Sequence, residues 1–176
     1  MKIHYLDDDE IALLKQAGKK LAEYQLTVGT AESCTGGRIA NMLASEPESS
    51  EHFIGGIISY SEEVKKKILG VESQDLEKYG VVSQPIAEQM VYGACQVLKC
   101  PCSIATTGYA GPEGGSDENP VGTIWIAVKM KGEIYAKRFL FSGDRQEIIR
   151  QASNRALQMF LKILYSLKRE NDGNKK

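Results

Sequence analysis

The sequence predicts an α/β protein: a three-layer α/β/α sandwich around a mixed, mostly parallel sheet of five or six strands. Three observations predict it. Short apolar runs alternate with segments of helical periodicity through the first two thirds of the chain, the pattern of a sheet covered on both faces. Two consecutive runs, Thr123–Met130 and residues 133–141, are separated only by Lys131 and Gly132, the spacing of a hairpin that adds antiparallel pairing. Finally, 42% of the 176 residues are apolar, enough for a core at a length that suits one domain. That domain takes in residues 1–176, with a core over about 8–167 and a charged, fraying tail at 168–176.

The elements follow in order. Asp7, Asp8 or Asp9 caps a first helix, in which Ile11, Leu14, Ala17, Leu21 and Tyr24 recur at helical spacing. A first strand covers residues 25–28. A helix after Gly37 carries Ile39, Met42 and Leu43 and stops before Pro47. Residues 53–60 read as a second strand interrupted by Gly55 and Gly56. Glu62–Leu69 is a short charged helix ending at Gly70, and another helical turn or two follows within residues 71–79. Ser83 and Pro85 open a helix whose inward face is Ile86, Met90, Ala94, Val97 and Leu98. Residues 102–106 form a central strand. A glycine-rich loop over 108–120 precedes the hairpin, and long loops of this kind inside compact folds tend to be functional. Asp144 and Glu147 fit a capping box for a last helix facing inward through Ile148, Ala152, Ala156, Met159, Ile163 and Leu167.

Composition excludes several classes. A formal net charge of −1 gives no basic field for nucleic acid, and no basic stripe interleaves with aromatics. No apolar run approaches the roughly 20 residues that span a bilayer. The polar, acidic start, residues 1–10, is no signal peptide, which points to the cytoplasm. Cys34, Cys95, Cys100 and Cys102 form no CxxC pair, so they read as free thiols in a reducing compartment rather than a zinc site. Neither metal nor cofactor is expected.

Chemistry concentrates in Thr30-Ala31-Glu32-Ser33-Cys34-Thr35-Gly36-Gly37, between an apolar run and a helical pattern. A helix start leaves N–H groups unpaired and partly positive, so it can hold a phosphate or an oxyanion. Ser33 sits where a nucleophile is wanted, with Cys34 as the alternative, and Gly36 and Gly37 let a substrate approach the backbone. Glu32 reads better as a structural acceptor for backbone N–H groups than as a catalyst. His4 and His52 lie away from any strand end of catalytic character, so a Ser-His-Asp triad is excluded. The base is then a lysine made neutral by burial, and Lys65, Lys66 and Lys67 remain equal candidates on spacing alone. Strand-end sites in such sheets would gather Ser33, Tyr60 and Thr107.

The stretch Ala31-Glu32-Ser33-Cys34-Thr35-Gly36-Gly37 resembles the opening signature of the competence-damage-inducible protein A (CinA) C-terminal-domain family. Three further blocks match in order: Gly55-Gly56-Ile57-Ile58-Ser59-Tyr60-Ser61 with Lys65 and Leu69-Gly70-Val71; Tyr79-Gly80-Val81-Val82-Ser83; and Thr107-Gly108-Tyr109-Ala110-Gly111-Pro112-Glu113-Gly114-Gly115 with Pro120-Val121-Gly122-Thr123. The resemblance runs over about 11–164 and implies the stand-alone form of the family. It implies an amidohydrolase that converts nicotinamide mononucleotide to nicotinate mononucleotide and ammonia in pyridine nucleotide salvage, without metal and as a homodimer. By motif position it implies Ser33 as nucleophile and Lys65 as base, with Tyr60 relaying or positioning the proton. Substrate contacts would come from Thr35, Gly36, Gly37, Thr107, Gly108, Gly111, Gly114, Gly115 and Arg145. The chain departs from the family at Tyr109, usually aliphatic, and at Glu113, usually glycine, both on the substrate loop. Two other readings compete: a nucleotide-binding module without turnover, and an amidase for another carboxamide.

Overall fold

The computed structural model describes residues 6–172, with side chains through residue 167. His4 and residues 173–176 of the predicted tail lie outside the described residues. Five strands, β1 (Val28–Glu32), β2 (Phe53–Ile58), β3 (Cys102–Gly108), β4 (Thr123–Met130) and β5 (Glu133–Leu140), form one sheet in the order β2-β1-β3-β4-β5. β2 and β3 flank β1 in parallel, whereas β3–β4 and β4–β5 are antiparallel. The sheet is mixed as expected. Its pairings divide evenly, and β4 alone runs against the other four strands. Six helices cover it: α1 (Asp8–Tyr24), α2 (Arg38–Ala44), α3 (Glu62–Leu69), α4 (Ser73–Tyr79), α5 (Gln84–Leu98) and α6 (Arg145–Asp172).

The two faces of the sheet are unequal. Strand alternation sends Val28, Ile104, Ile124, Ile126, Val128 and Met130 toward α1, α2 and α6. The opposite face carries Ala31, Ala105, Ala127 and Ala136, which sit side by side across four strands. This alanine row lets α5 lie close to the sheet and reach across it, filling the layer with Ile86, Met90, Val91 and Ala94. The end of α3 then crosses α5 at Gly93, where a Cβ would fall 2.0 Å from the Leu69 carbonyl oxygen. Leu69 and Lys65, one turn apart, are the buried positions of α3, so the contact that docks this helix also turns Lys65 inward.

Some boundaries moved from their sequence-based positions. β1 starts at Val28, not at residue 25, because Gln25 ends α1 in the left-handed conformation at φ 52°. The strand instead runs through Gly29-Thr30-Ala31-Glu32, where small residues fit because neighbours flank it on both edges. Val97 faces solvent at 48% exposure, because α5 turns 87, 91 and 95 inward instead. In α6 the buried line is Ile148, Ala152, Ala156, Leu157, Phe160, Leu161 and Leu164, while Met159 and Ile163 are only partly covered. The buried line steps by four residues, which outruns the 3.6 residues of a helical turn, so it drifts around α6 past the face that Met159 and Ile163 occupy. α6 also continues to Asp172, into the segment expected to fray.

Candidate active site

The site is built at the C-terminal edge of the three parallel strands. The N–H of Ser33 makes the last rung of the β1–β3 ladder, donating to Thr106 O at 3.0 Å. The chain then turns through Ser33-Cys34-Thr35-Gly36, closed by the Gly36 N–H on Ser33 O at 3.1 Å. Gly36 and Gly37 both have left-handed φ, 61° and 95°, which the tight strand-to-helix turn requires. Glu32 locks it. Its fully buried carboxylate accepts from Thr35 Oγ1 (2.7 Å) and from the N–H groups of Gly37 (3.1 Å), Ile39 (3.0 Å) and Ala40 (2.7 Å). The positive end of α2 is therefore satisfied from within the protein, not left open for a ligand. Thr35 is also tied inward, its hydroxyl 2.7 Å from that of Thr106.

Against this turn α3 brings Lys65, which has no exposed surface. Its Nζ donates to Ser33 Oγ at 2.9 Å, Ser59 O at 2.6 Å and Tyr60 O at 3.2 Å. Burial drives its pKa down from 10.5 to about 8, outweighing the opposing pull of the Glu62 carboxylate. Of the three candidate lysines, Lys66 and Lys67 point to solvent, and Lys67 pairs with Glu63. Cys34 lines the same pocket, but burial pushes its thiol up to about 12, so it stays protonated. His52 lies at the opposite end of β2, beside Glu46.

A pocket of about 180 Å³ opens in front of Ser33. Val81 and Val82 form one side, Thr107 and Tyr109 another, and Arg145 stands at its rim. No carboxylate lines it. Arg145 opens α6 and reaches back to Gly111 O (2.6 Å) and the Tyr60 hydroxyl (3.3 Å). Tyr60 meets the pair through its backbone: its carbonyl accepts from Lys65, while its hydroxyl meets Arg145 and the residue is 63% exposed. Thr107 is buried, with its hydroxyl donating to Val81 O at 2.8 Å, which holds the 80–82 segment as a pocket wall. Gly111 acts through its carbonyl. Gly114 lies against the Tyr109 ring and Gly115 against the backbone of Asn119 and Val121, so both shape the loop without lining the pocket.

Gly108, expected among the substrate contacts, offers a backbone donor. Pairing alternates along β3: the N–H of Tyr109 donates toward β4, to Thr123 O, while Thr106 O faces β1. Gly108 shares the parity of Thr106, so its N–H points toward β1 just beyond the point where β1 has ended at Glu32. It lines the pocket together with Ser33.

Fold and site together define an α/β sandwich that presents a serine–lysine pair at the end of its central parallel strands. Residues 10–164 match the CinA C-terminal domain, and the chain belongs to that family. The nicotinamide-nucleotide amidohydrolase PncC of Escherichia coli K12 is 40% identical over 153 residues, covering 86% of this chain and 93% of that protein. A CinA-like protein of Fusobacterium nucleatum is 45% identical over 158 residues, which cover 90% of this chain. The chain spans only 38% of the length of that relative, and the same share of a Clostridium beijerinckii one. Among solved structures, the competence/damage inducible protein CihA of Agrobacterium tumefaciens superposes with a TM-score of 0.88 at 33% identity, covering 91% of this chain and 98% of that one.

Proposed function

We propose that the protein is an amidohydrolase that deamidates nicotinamide mononucleotide through an acyl-serine intermediate. The observation that carries this is a buried lysine, with no carboxylate among its hydrogen-bond partners, 2.9 Å from a strand-end serine. Neutral Lys65 takes the Ser33 proton as Oγ attacks the carboxamide carbon. The resulting ammonium gives that proton to the departing nitrogen, and ammonia leaves. A water, deprotonated by the same amine, then cleaves the acyl ester and frees Ser33. The N–H groups of Cys34, beside the nucleophile, and of Gly108 face the developing oxyanion, replacing the Gly37 amide that Glu32 holds. The Tyr109 ring fits beside the pyridine, and Arg145 offers the phosphate a planar pair of donors at the rim. The enzyme works in the cytoplasm as a homodimer, needing neither metal nor cofactor because Lys65 supplies the base.

A coupled ammonia assay on nicotinamide mononucleotide tests this. Wild type should release ammonia, and Ser33→Ala should bind the nucleotide yet release about 10³-fold less. Binding without release in the wild type would favour a nucleotide-binding module. Turnover of other carboxamides in preference would favour another amidase. Because the neutral amine is the active form, kcat/KM should rise about tenfold per unit as pH climbs toward about 8, then level off. A profile falling across that range would contradict a lysine base.

A further inference from the structure

We propose that the groove between β5 and the middle of α6 is a second binding site, built for a free mononucleotide. Alternation along β5 puts Tyr135, Lys137 and Phe139 on one face of this edge strand, and Arg155, Met159 and Lys162, at helical spacing, face them from α6. The groove encloses about 290 Å³, close to the range of small-molecule sites.

Its charge is one-sided. Lys137, Arg155 and Lys162 line it and no carboxylate does. None of the three forms an ion pair among the described residues, although the chain as a whole carries a formal charge of −1. The cations gather about an aromatic surface instead. Lys137 Nζ lies 5.4 Å and the Arg155 guanidinium 5.6 Å from the Phe139 ring centroid. Phe139 is itself held by stacking on Phe141, with centroids 5.8 Å apart and planes 15° from parallel. Tyr135 adds a second ring, 44% exposed.

Fixed aromatic faces flanked by unpaired cations suit a ligand that is planar at one end and anionic at the other. A purine or pyrimidine would stack on the exposed Tyr135 ring, with Phe139 holding Lys137 and Arg155 beside it, and its phosphate would meet Arg155 and Lys162. Gln158, also in the groove, offers an amide to the edge of the base. A volume of about 290 Å³ suits one nucleotide rather than a polymer. The site is distinct from the catalytic pocket: β3 and β4 separate β5 from β1, and Arg155 lies about 15 Å along α6 from Arg145.

Calorimetric titration of the intact protein with adenosine monophosphate tests the proposal. Expected is one saturable site per chain with Kd below about 1 mM, and binding at least about tenfold weaker for adenosine or inorganic phosphate alone. The double variant Arg155→Glu/Lys162→Glu changes exposed positions. It should lose at least about tenfold in affinity while keeping its melting temperature and its ammonia release. Absent binding, binding unchanged in the double variant, or binding lost instead in Arg145→Ala would each overturn the site. So would a much tighter fit for single-stranded oligothymidylate, or dissociation of an oligomer by the double variant, which would make the groove a nucleic-acid or subunit contact. The binding and melting readouts do not require the amidohydrolase reading to hold.

Discussion

Lys65→Met is expected to lower ammonia release at least about 10³-fold while leaving the protein as stable as wild type at neutral pH, or more so. The first half follows from the contact: Nζ is the basic atom that touches Ser33 Oγ, and among the described residues the one histidine, His52, lies at the far end of β2. The second half follows from burial. A pKa displaced from 10.5 to about 8 means that the folded state disfavours the ammonium by about 3 kcal/mol. Below about pH 8 both folded and unfolded chains carry the proton, so wild type bears that cost in full. Between about 8 and 10.5 the unfolded chain binds more protons, and stability rises with pH through this window. Methionine fills a similar volume and carries no charge, though it leaves Ser59 O without its short bond. Thermal melts at pH 7 and pH 9.5 should therefore show wild type gaining on the variant as pH rises. A variant with near-normal turnover would refute the base assignment. A variant that melts more than about 10 °C lower at pH 7 would refute the stability argument.

How much of this was legible in the sequence depends on whether the signal was local. The helices were, because caps and periodicity act within one segment: Glu62–Leu69 ends at Gly70 in the structure as in the reading, and the N–H of Glu147 is capped by Asp144 Oδ1 at 2.9 Å. The hairpin at Lys131 and Gly132 was also legible, because both residues take left-handed φ, 49° and 102°. The extent of β1 was not, because Gly29 has weak strand preference and the segment is held there by partners far along the chain. In the site, residue types and motif order pointed to Ser33 and Lys65, and the fold brings the two into contact. Which atom of Tyr60 meets Lys65 was not legible, because a motif names a residue without saying whether its hydroxyl or its carbonyl faces the partner. Backbone contributors such as Ser59 O and the Gly108 N–H leave no mark on side-chain identity at all. The basic aromatic groove was invisible for a related reason: Lys137 and Arg155 belong to different elements, and only packing makes them neighbours.

Glu32→Ala should damage stability and catalysis together, and the size of both losses can be argued from one carboxylate. Glu32 is fully buried and accepts three backbone N–H bonds and one hydroxyl at the head of α2. Truncation takes the acceptor from the N–H groups of Gly37, Ile39 and Ala40, of which Ile39 is fully buried, at about 1–3 kcal/mol for each donor left unpaired. Partial relaxation still leaves a loss of several kcal/mol, which for a chain of this size lowers the melting temperature by about 10 °C or more. The same bonds hold Gly36 and Gly37 in their left-handed turn, and that turn fixes the position of Ser33 Oγ relative to Lys65. A displacement of about 1 Å is enough to cost about 10²-fold in rate, so kcat should fall by that order with KM less affected. Glu32→Gln separates the two contributions. It keeps the shape and one acceptor oxygen but turns an N–H donor toward the helix amides and removes the negative charge at the helix start. Its melting temperature should lie between those of wild type and Glu32→Ala, with activity following stability. If Glu32→Ala melted within a few degrees of wild type and kept its turnover, the turn would have to be held by the two glycines alone, and the carboxylate would not be what sets the serine in place.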